Sequence, residues 1–300
     1  MSRAYSLCQV DVFTDRIFGG NPLAVFTDGA GLSTDEMQAI ALEMNLSETT
    51  FILPPEDPAN LAKVRIFTPR AELPFAGHPT VGTAWVLARL GQVEPGRQRI
   101  TLELGLGPVA VDFEDVGDPG AFIWMNQGTA TFGEVLTDRD AIAEALNVEP
   151  ADLAPDLPIQ FVSTGFPFLF VPFATSAAVD RATLSSGGFA GASTNAGGAF
   201  LFHSVPGSDR AYSRMIATIG GGVWEDPATG SASGPLGAYI VEHGLSSRGS
   251  SVEIVSEQGT QMGRQSFVHI RVASDGEAPG EISVGGSVVW VFDGTLRIPG

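Results

Sequence analysis

Two seven-residue stretches of this 300-residue chain share the form [H/D]-P-x-x-G-[ST]-A and stand 148 residues apart: His78-Pro79-Thr80-Val81-Gly82-Thr83-Ala84 and Asp226-Pro227-Ala228-Thr229-Gly230-Ser231-Ala232. Proline at a first helical turn, followed by small residues with accessible backbone N–H groups, marks a helix start that can face an anion or a polar substrate. Two such starts converging from either side suit a small carboxylate, and can stabilise an enolate-like oxyanion as a proton leaves the neighbouring carbon. That reaction needs a base. The candidates are Glu48, His78 and Asp226, since carboxylates in a closed, dry site can titrate nearer neutrality. Ser231 offers a hydroxyl, but no G-x-S-x-G turn and no histidine close in sequence make it a nucleophile. Acid–base chemistry is favoured over covalent catalysis.

Each candidate has a plainer reading. Glu48 sits in Asn45-Leu46-Ser47-Glu48-Thr49-Thr50, between a helix and the strand Phe51-Ile52-Leu53. Such a junction can hold a side chain rigidly, yet most glutamates are solvated. His78 could cap its helix and do nothing more.

The bulk of the sequence narrows the field. Sixteen basic against thirty-four acidic residues give a net charge of −18, which repels nucleic acid and anionic membranes. No apolar run approaches the ~20 residues of a membrane helix, and the N-terminus lacks the apolar core of a signal peptide; a soluble, cytoplasmic protein is expected. The single lysine, Lys63, falls in strand-like AKVRIF, reads as buried, and makes pyridoxal chemistry improbable. Cys8 is the only cysteine and reads as a core thiol, so neither an intrachain disulfide nor a thiolate cluster can form. His78, His203, His243 and His269 show no ligand spacing. No metal and no cofactor are expected.

The elements that must position these residues follow from pattern. Strands over 4–14 and 22–27 flank the turn Phe18-Gly19-Gly20-Asn21 and predict a hairpin. Ser33-Thr34-Asp35-Glu36 starts an amphipathic helix that stops near Asn45. A strand over 62–68 precedes an alanine-rich helix from His78 to about Leu90, apolar on nearly all sides and ended by Gly91. Strands follow at about 98–104, 108–114 and 121–125. Gly105-Leu106-Gly107-Pro108-Val109-Ala110 resembles a dinucleotide fingerprint but lies between two strands and opens no helix. Residues 126–158, with a helix over 139–146, read as a connection between halves. Gly220-Gly221-Gly222 belongs to no P-loop, and strands at 252–257, 266–273 and 282–292 close the chain, the last bent at Gly285-Gly286.

The second half echoes the first. Thr164-Gly165-Phe166-Pro167 repeats Gly19-Gly20-Asn21-Pro22, Ala199-Phe200-Leu201-Phe202 repeats Thr50-Phe51-Ile52-Leu53, and Arg214-Met215-Ile216 repeats Arg65-Ile66-Phe67, at offsets of 145 to 149. Matches in one order at nearly one offset indicate two copies of one unit, divided here as 1–128 and 129–300, with the last strand free to return to the first half.

The segments GGNPLAVF, MNLSETTFIL, VRIFTP, ELPFAGHPTVGTA and EDPATGSASGPLGAYI closely resemble the PhzF family of phenazine biosynthesis-like isomerases. The resemblance implies an α+β fold like that of diaminopimelate epimerase: two similar halves, each a curved, mostly antiparallel sheet around a central helix, with the active site in the cleft between them. It implies Glu48 as the acid/base that moves a proton between carbons of a small cyclic carboxylic acid without a cofactor, as on trans-2,3-dihydro-3-hydroxyanthranilate. His78 and Asp226 join it in the catalytic group, and Gly77, Thr229, Gly230 and Ser231 bind and orient substrate. A homodimer is also implied. The two-thiol racemases of the same fold are a different case, because no cysteine stands at either helix start. An epimerase or isomerase of another small acid, and a non-catalytic binder, remain the alternatives.

Overall fold

The computed structural model describes residues 2–114, 122–184, 198–219, 222–246, 249–274 and 278–299. The fold is α+β. The chain divides into two compact units, one of residues 1–126 with 285–300 and one of residues 127–284.

In the first unit, β1 (Arg3–Val12) and β2 (Asn21–Phe26) form the expected hairpin, with Val12 opposite Asn21. Helix α1 (Thr34–Met44) opens on a capping box: the Ser33 hydroxyl accepts from the Glu36 amide while the Glu36 carboxylate accepts from the Ser33 amide. It stops at Asn45, which is left-handed at φ 51°. Next come β3 (Glu48–Leu53), parallel to β2, then β4 (Ala62–Phe67) and β5 (Glu72–Leu73), each antiparallel to its predecessor. Helix α2 (Gly77–Arg89) is buried at every residue from Gly77 to Leu87, so the sheet and its neighbours enclose it on all sides. Close approach is built in at Gly82, where a Cβ would lie 2.7 Å from Leu23 and 2.8 Å from Val12. Strands β6 (Arg99–Leu104), β7 (Gly107–Glu114) and β8 (Phe122–Gly128) follow as an antiparallel run.

The second unit contains β9 (Thr131–Leu136), α3 (Arg139–Ala145), β10 (Ile159–Ser163), β11 (Pro167–Pro172), α4 (Ser176–Arg181), β12 (Ala199–Ser204), β13 (Arg210–Ile219), β14 (Gly222–Asp226) and α5 (Gly230–Glu242). Then come β15 (Ser251–Gln258), β16 (Ser266–Ser274) and β17 (Pro279–Gly286). The final strand, β18 (Val288–Ile298), runs antiparallel to β1. Helix α5 plays the part of α2: it is buried from Ala232 to Ile240, and a Cβ at Gly237 would lie 2.5 Å from Ile270.

The duplication is visible in the strand ladder. The pairings of β1, β2, β3, β4 and β5 recur in β10, β11, β12, β13 and β14: antiparallel, parallel, antiparallel, antiparallel. An ion pair recurs with it. Arg65 on β4 grips Glu72 on β5 through two hydrogen bonds, and Arg214 on β13 grips Glu225 on β14 through two more. Phe67 opposes Glu72 as Ile216 opposes Glu225, so both arginines sit diagonally from their partners.

The structure corrects several sequence expectations. Residues 126–158 are not a connector: β9 pairs with β10, and Ile142, Ala143 and Leu146 enter the core of the second unit. Residues 282–292 are two strands, the first ending at Gly286; a Cβ at Gly285 would strike Ile123 and one at Gly286 would strike Phe13. Lys63 is only half-buried and pairs with Glu56. Gly220 and Gly221 lie outside the described residues.

The two helix-start motifs are also out of register as aligned. Three residues separate β5 from α2 and three separate β14 from α5, and both helices are 13 residues long. By that measure Gly77 matches Gly230, His78 matches Ser231, and Asp226 matches Leu73 rather than His78.

Among the described residues no helix is long and apolar enough to cross a membrane, and no cluster of His, Cys, Asp and Glu could hold a metal ion. Cys8 is buried, and loss of hydration, with Asp293 nearby, pushes its thiol up to about 12.

Candidate active site

Three of the described helices are closed by a side chain in the ordinary way. Ser33, Asp138 and Thr175 accept first-turn amides of α1, α3 and α4. The two buried central helices are different: neither Ala76 before α2 nor Thr229 before α5 makes a side-chain cap. The starts of α2 and α5 thus keep the polarity that favours an anion.

In the first unit the sequence brings three groups to the start of α2. The left-handed stop at Asn45 leaves two residues before Glu48, which opens β3 opposite Leu23 of β2. His78 is the second residue of α2 and is buried. It does not cap its helix. Its ring is hydrogen-bonded to the backbone of Pro22, and because proline has no N–H, the Pro22 carbonyl accepts and the imidazole donates. Nε2 has no hydrogen-bond partner among the described residues, so the donor is Nδ1. The lone pair of a neutral Nε2 then faces Glu48, whose Oε2 lies 3.5 Å away.

That contact is not an ion pair at neutral pH. Burial, only partly offset by the Pro22 bond, lowers the His78 pKa to about 3, so the ring is uncharged. An uncharged Nε2 and a carboxylate both offer lone pairs, and they attract only when a proton lies between them. A proton on Glu48 Oε2, 3.5 Å from Nε2, would be placed to point at that lone pair. The Glu48 side chain is 13% exposed, enclosed yet reachable, unlike a solvated surface glutamate.

In the second unit Asp226 ends β14 and is buried. Its Oδ2 accepts from the Thr229 hydroxyl at 2.6 Å. Gln258, at the end of β15 and fully buried, ties the segment together: its Nε2 donates to the Asp226 carbonyl at 2.8 Å and to Thr229 Oγ1 at 3.0 Å, and its Oε1 accepts from the Thr229 amide at 3.1 Å. Gly230 is the first residue of α5 and Ser231 the second, half-buried. The Gly230 carbonyl accepts from Gln127.

The sequence points to Glu48, Gly77, His78, Asp226, Thr229, Gly230 and Ser231 but not to three groups that hydrogen-bond to them. The Pro22 carbonyl, Gln127 and Gln258 come from strands distant in sequence, and no spacing ties them to the helix starts. One signal existed for Gln258. Gly259 after it has φ 74°, and a Cβ there would lie 2.5 Å from the Pro227 carbonyl, so a glycine marks where that turn presses on the Asp226-Pro227 segment.

The profile of the PhzC-PhzF family, phenazine biosynthesis-like protein, matches residues 10–294. The chain belongs to this family. It is 35% identical to an uncharacterized isomerase of Clostridium acetobutylicum, over 99% of both chains. To a trans-2,3-dihydro-3-hydroxyanthranilate isomerase of Pseudomonas chlororaphis it is 34% identical, over 96% of this chain and 97% of that one. The crystal structure of a PhzF-family protein of Bacillus anthracis superposes with a TM-score of 0.86 at 27% identity, covering 99% of this chain and 100% of that one. A hydroxyproline epimerase of Agrobacterium vitis, 10% identical with a TM-score of 0.63, shows the wider diaminopimelate-epimerase-like fold. As a PhzF-family member the chain is an isomerase.

Proposed function

We propose that this isomerase moves a proton between carbons of a small cyclic carboxylic acid by acid/base catalysis, on a substrate similar to trans-2,3-dihydro-3-hydroxyanthranilate. Glu48 takes the proton from one carbon and returns it to another. Neutral His78 accepts the Oε2–H hydrogen bond while Glu48 holds that proton, so the acid is stabilised without an ion pair that would lock it as the carboxylate. Asp226, Thr229, Ser231 and the backbone of Gly77 and Gly230 bind and orient the substrate, with helix-start amides available to its negative charge. The reading rests on one observation above the others: an uncharged imidazole lone pair aimed at a largely enclosed glutamate at 3.5 Å. The substrate class is supported by the relative in Pseudomonas chlororaphis that carries that activity in its name.

The test is to incubate the protein with trans-2,3-dihydro-3-hydroxyanthranilate and follow the ring protons by NMR. Conversion to an isomer supports the reading. Absence of conversion with this acid, but turnover of another small acid, would keep the proton transfer and replace the substrate.

A further inference from the structure

The Thr229 hydroxyl occupies an unusual place. Thr229 is the residue before α5, where a threonine side chain ordinarily accepts a first-turn amide of its own helix, yet it makes no such bond. Its oxygen is turned instead to Asp226 Oδ2 at 2.6 Å and Gln258 Nε2 at 3.0 Å.

Two backbone groups fix the Gln258 amide. The Thr229 N–H requires an acceptor and the Asp226 carbonyl requires a donor, so Oε1 must face the first and Nε2 the second. With that orientation set, Nε2 also presents an N–H to Thr229 Oγ1. A hydroxyl has one proton. With one of its lone pairs engaged by Gln258, that proton is directed to Asp226 Oδ2.

We propose that Gln258 is a positioning residue of the site: it turns the Thr229 hydroxyl off its own helix and onto Asp226, fixing Asp226 as a hydrogen-bond acceptor and leaving the start of α5 without a side-chain cap. The functional consequence rests on the assignment of Asp226 and Thr229 to substrate orientation; the hydrogen-bond direction does not. Gln258 is fully buried and hydrogen-bonded to both residues, and acts through them.

Gln258→Glu reverses one half of the device. The introduced carboxylate still accepts from the Thr229 amide, but its second oxygen faces the Asp226 carbonyl and draws the Thr229 hydroxyl proton to itself, away from Asp226. In protein labelled at threonine, the Thr229 hydroxyl proton, held in a short buried bond, is expected to give a slowly exchanging NMR resonance that shifts in Gln258→Glu. In Gln258→Met, which cannot donate, its exchange with water is expected to quicken at least about tenfold as the hydroxyl regains its rotamers. This second variant decides the matter if the first does not fold. With trans-2,3-dihydro-3-hydroxyanthranilate as probe, Gln258→Glu is expected to raise KM about tenfold or more, the scale of losing one hydrogen bond to a charged group. In a Thr229→Val background the same change should add less than about threefold, because coupled residues are not additive. An unchanged hydroxyl resonance and exchange rate would overturn the inference whether or not the probe turns over. Absence of turnover by the parent protein, with the resonance shifted as expected, would instead fault the substrate reading alone. Full additivity of the two substitutions would show that Gln258 does not act through Thr229.

Discussion

Glu48 Oε2 and His78 Nε2 face each other at 3.5 Å, and the proton on the far side of the imidazole is committed to the Pro22 carbonyl. A neutral histidine so placed offers a lone pair to a protonated carboxyl group and does not pair with a carboxylate. Its protonation linkage follows. The buried ring titrates near 3 instead of 6.5, so between about pH 6.5 and pH 3 the unfolded chain binds a proton that the folded chain refuses. His78 thus makes stability rise with pH across that window, and acid removes that stability. His78→Gln is expected to lose less stability than the parent protein when urea unfolding is measured at pH 7 and again at pH 4.5. Equal losses would show that His78 is charged in the folded state.

Asp226→Asn keeps the shape of the side chain but weakens the acceptor for the Thr229 hydroxyl. The expected result is a KM higher by about tenfold or more, on the scale of a charge-assisted hydrogen bond, with a lowered kcat. Steady-state kinetics on the dihydroanthranilate probe read it; unchanged kinetics would remove Asp226 from substrate orientation.

The duplicated arginines differ in what they hold, and so in what they are worth. Arg214 is buried and, besides Glu225, donates to the carbonyls of Val179, Asp180 and Ala182 at the end of α4. Arg214→Met strands those acceptors and the Glu225 carboxylate together, and is expected to destabilise by about 3–5 kcal/mol. Arg65→Met removes a more exposed pair and should cost clearly less. Chemical denaturation of both variants gives the comparison.

Gly82→Ala tests the packing of the central helix. A methyl there meets Leu23 and Val12 below 3 Å, and an overpacked core is expected to lose about 1–3 kcal/mol although alanine is the better helix former. A raised melting temperature would contradict the close approach.

Local chemistry was legible in the sequence and long-range pairing was not. The hairpin at Val12 and Asn21, the Ser33–Glu36 capping box and the stop at Asn45 each depend on neighbours in the chain, and each could be read from them. The buried character of α2 was also legible, because its apolar residues leave no polar face. Strand β9 escaped because Thr131, Gly133, Glu134 and Val135 are exposed, which erases the alternation that marks a strand. The motif repeat misled by five residues: proline and small residues recur for local reasons, while the true equivalence of Gly77 with Gly230 is set by the three-residue spacing from β5 and β14. At the site, the residue types at Glu48, His78 and Asp226 pointed to proton chemistry. Which nitrogen of His78 faces Glu48 depends on a carbonyl 56 positions away in the chain, and no pattern within either segment carries that.

The central claim is that Glu48 carries the proton, and one measurement reaches it directly. Parent protein and Glu48→Gln are incubated with trans-2,3-dihydro-3-hydroxyanthranilate in deuterated water, and isomerisation and deuterium incorporation are followed by NMR. The account predicts isomerisation by the parent protein, with deuterium at the receiving carbon only to the extent that Glu48 exchanges the held proton with solvent before returning it, and a rate lower by a factor of about 100 to 10,000 in the variant with its fold and melting temperature preserved. Isomerisation by Glu48→Gln at the parent rate would contradict it.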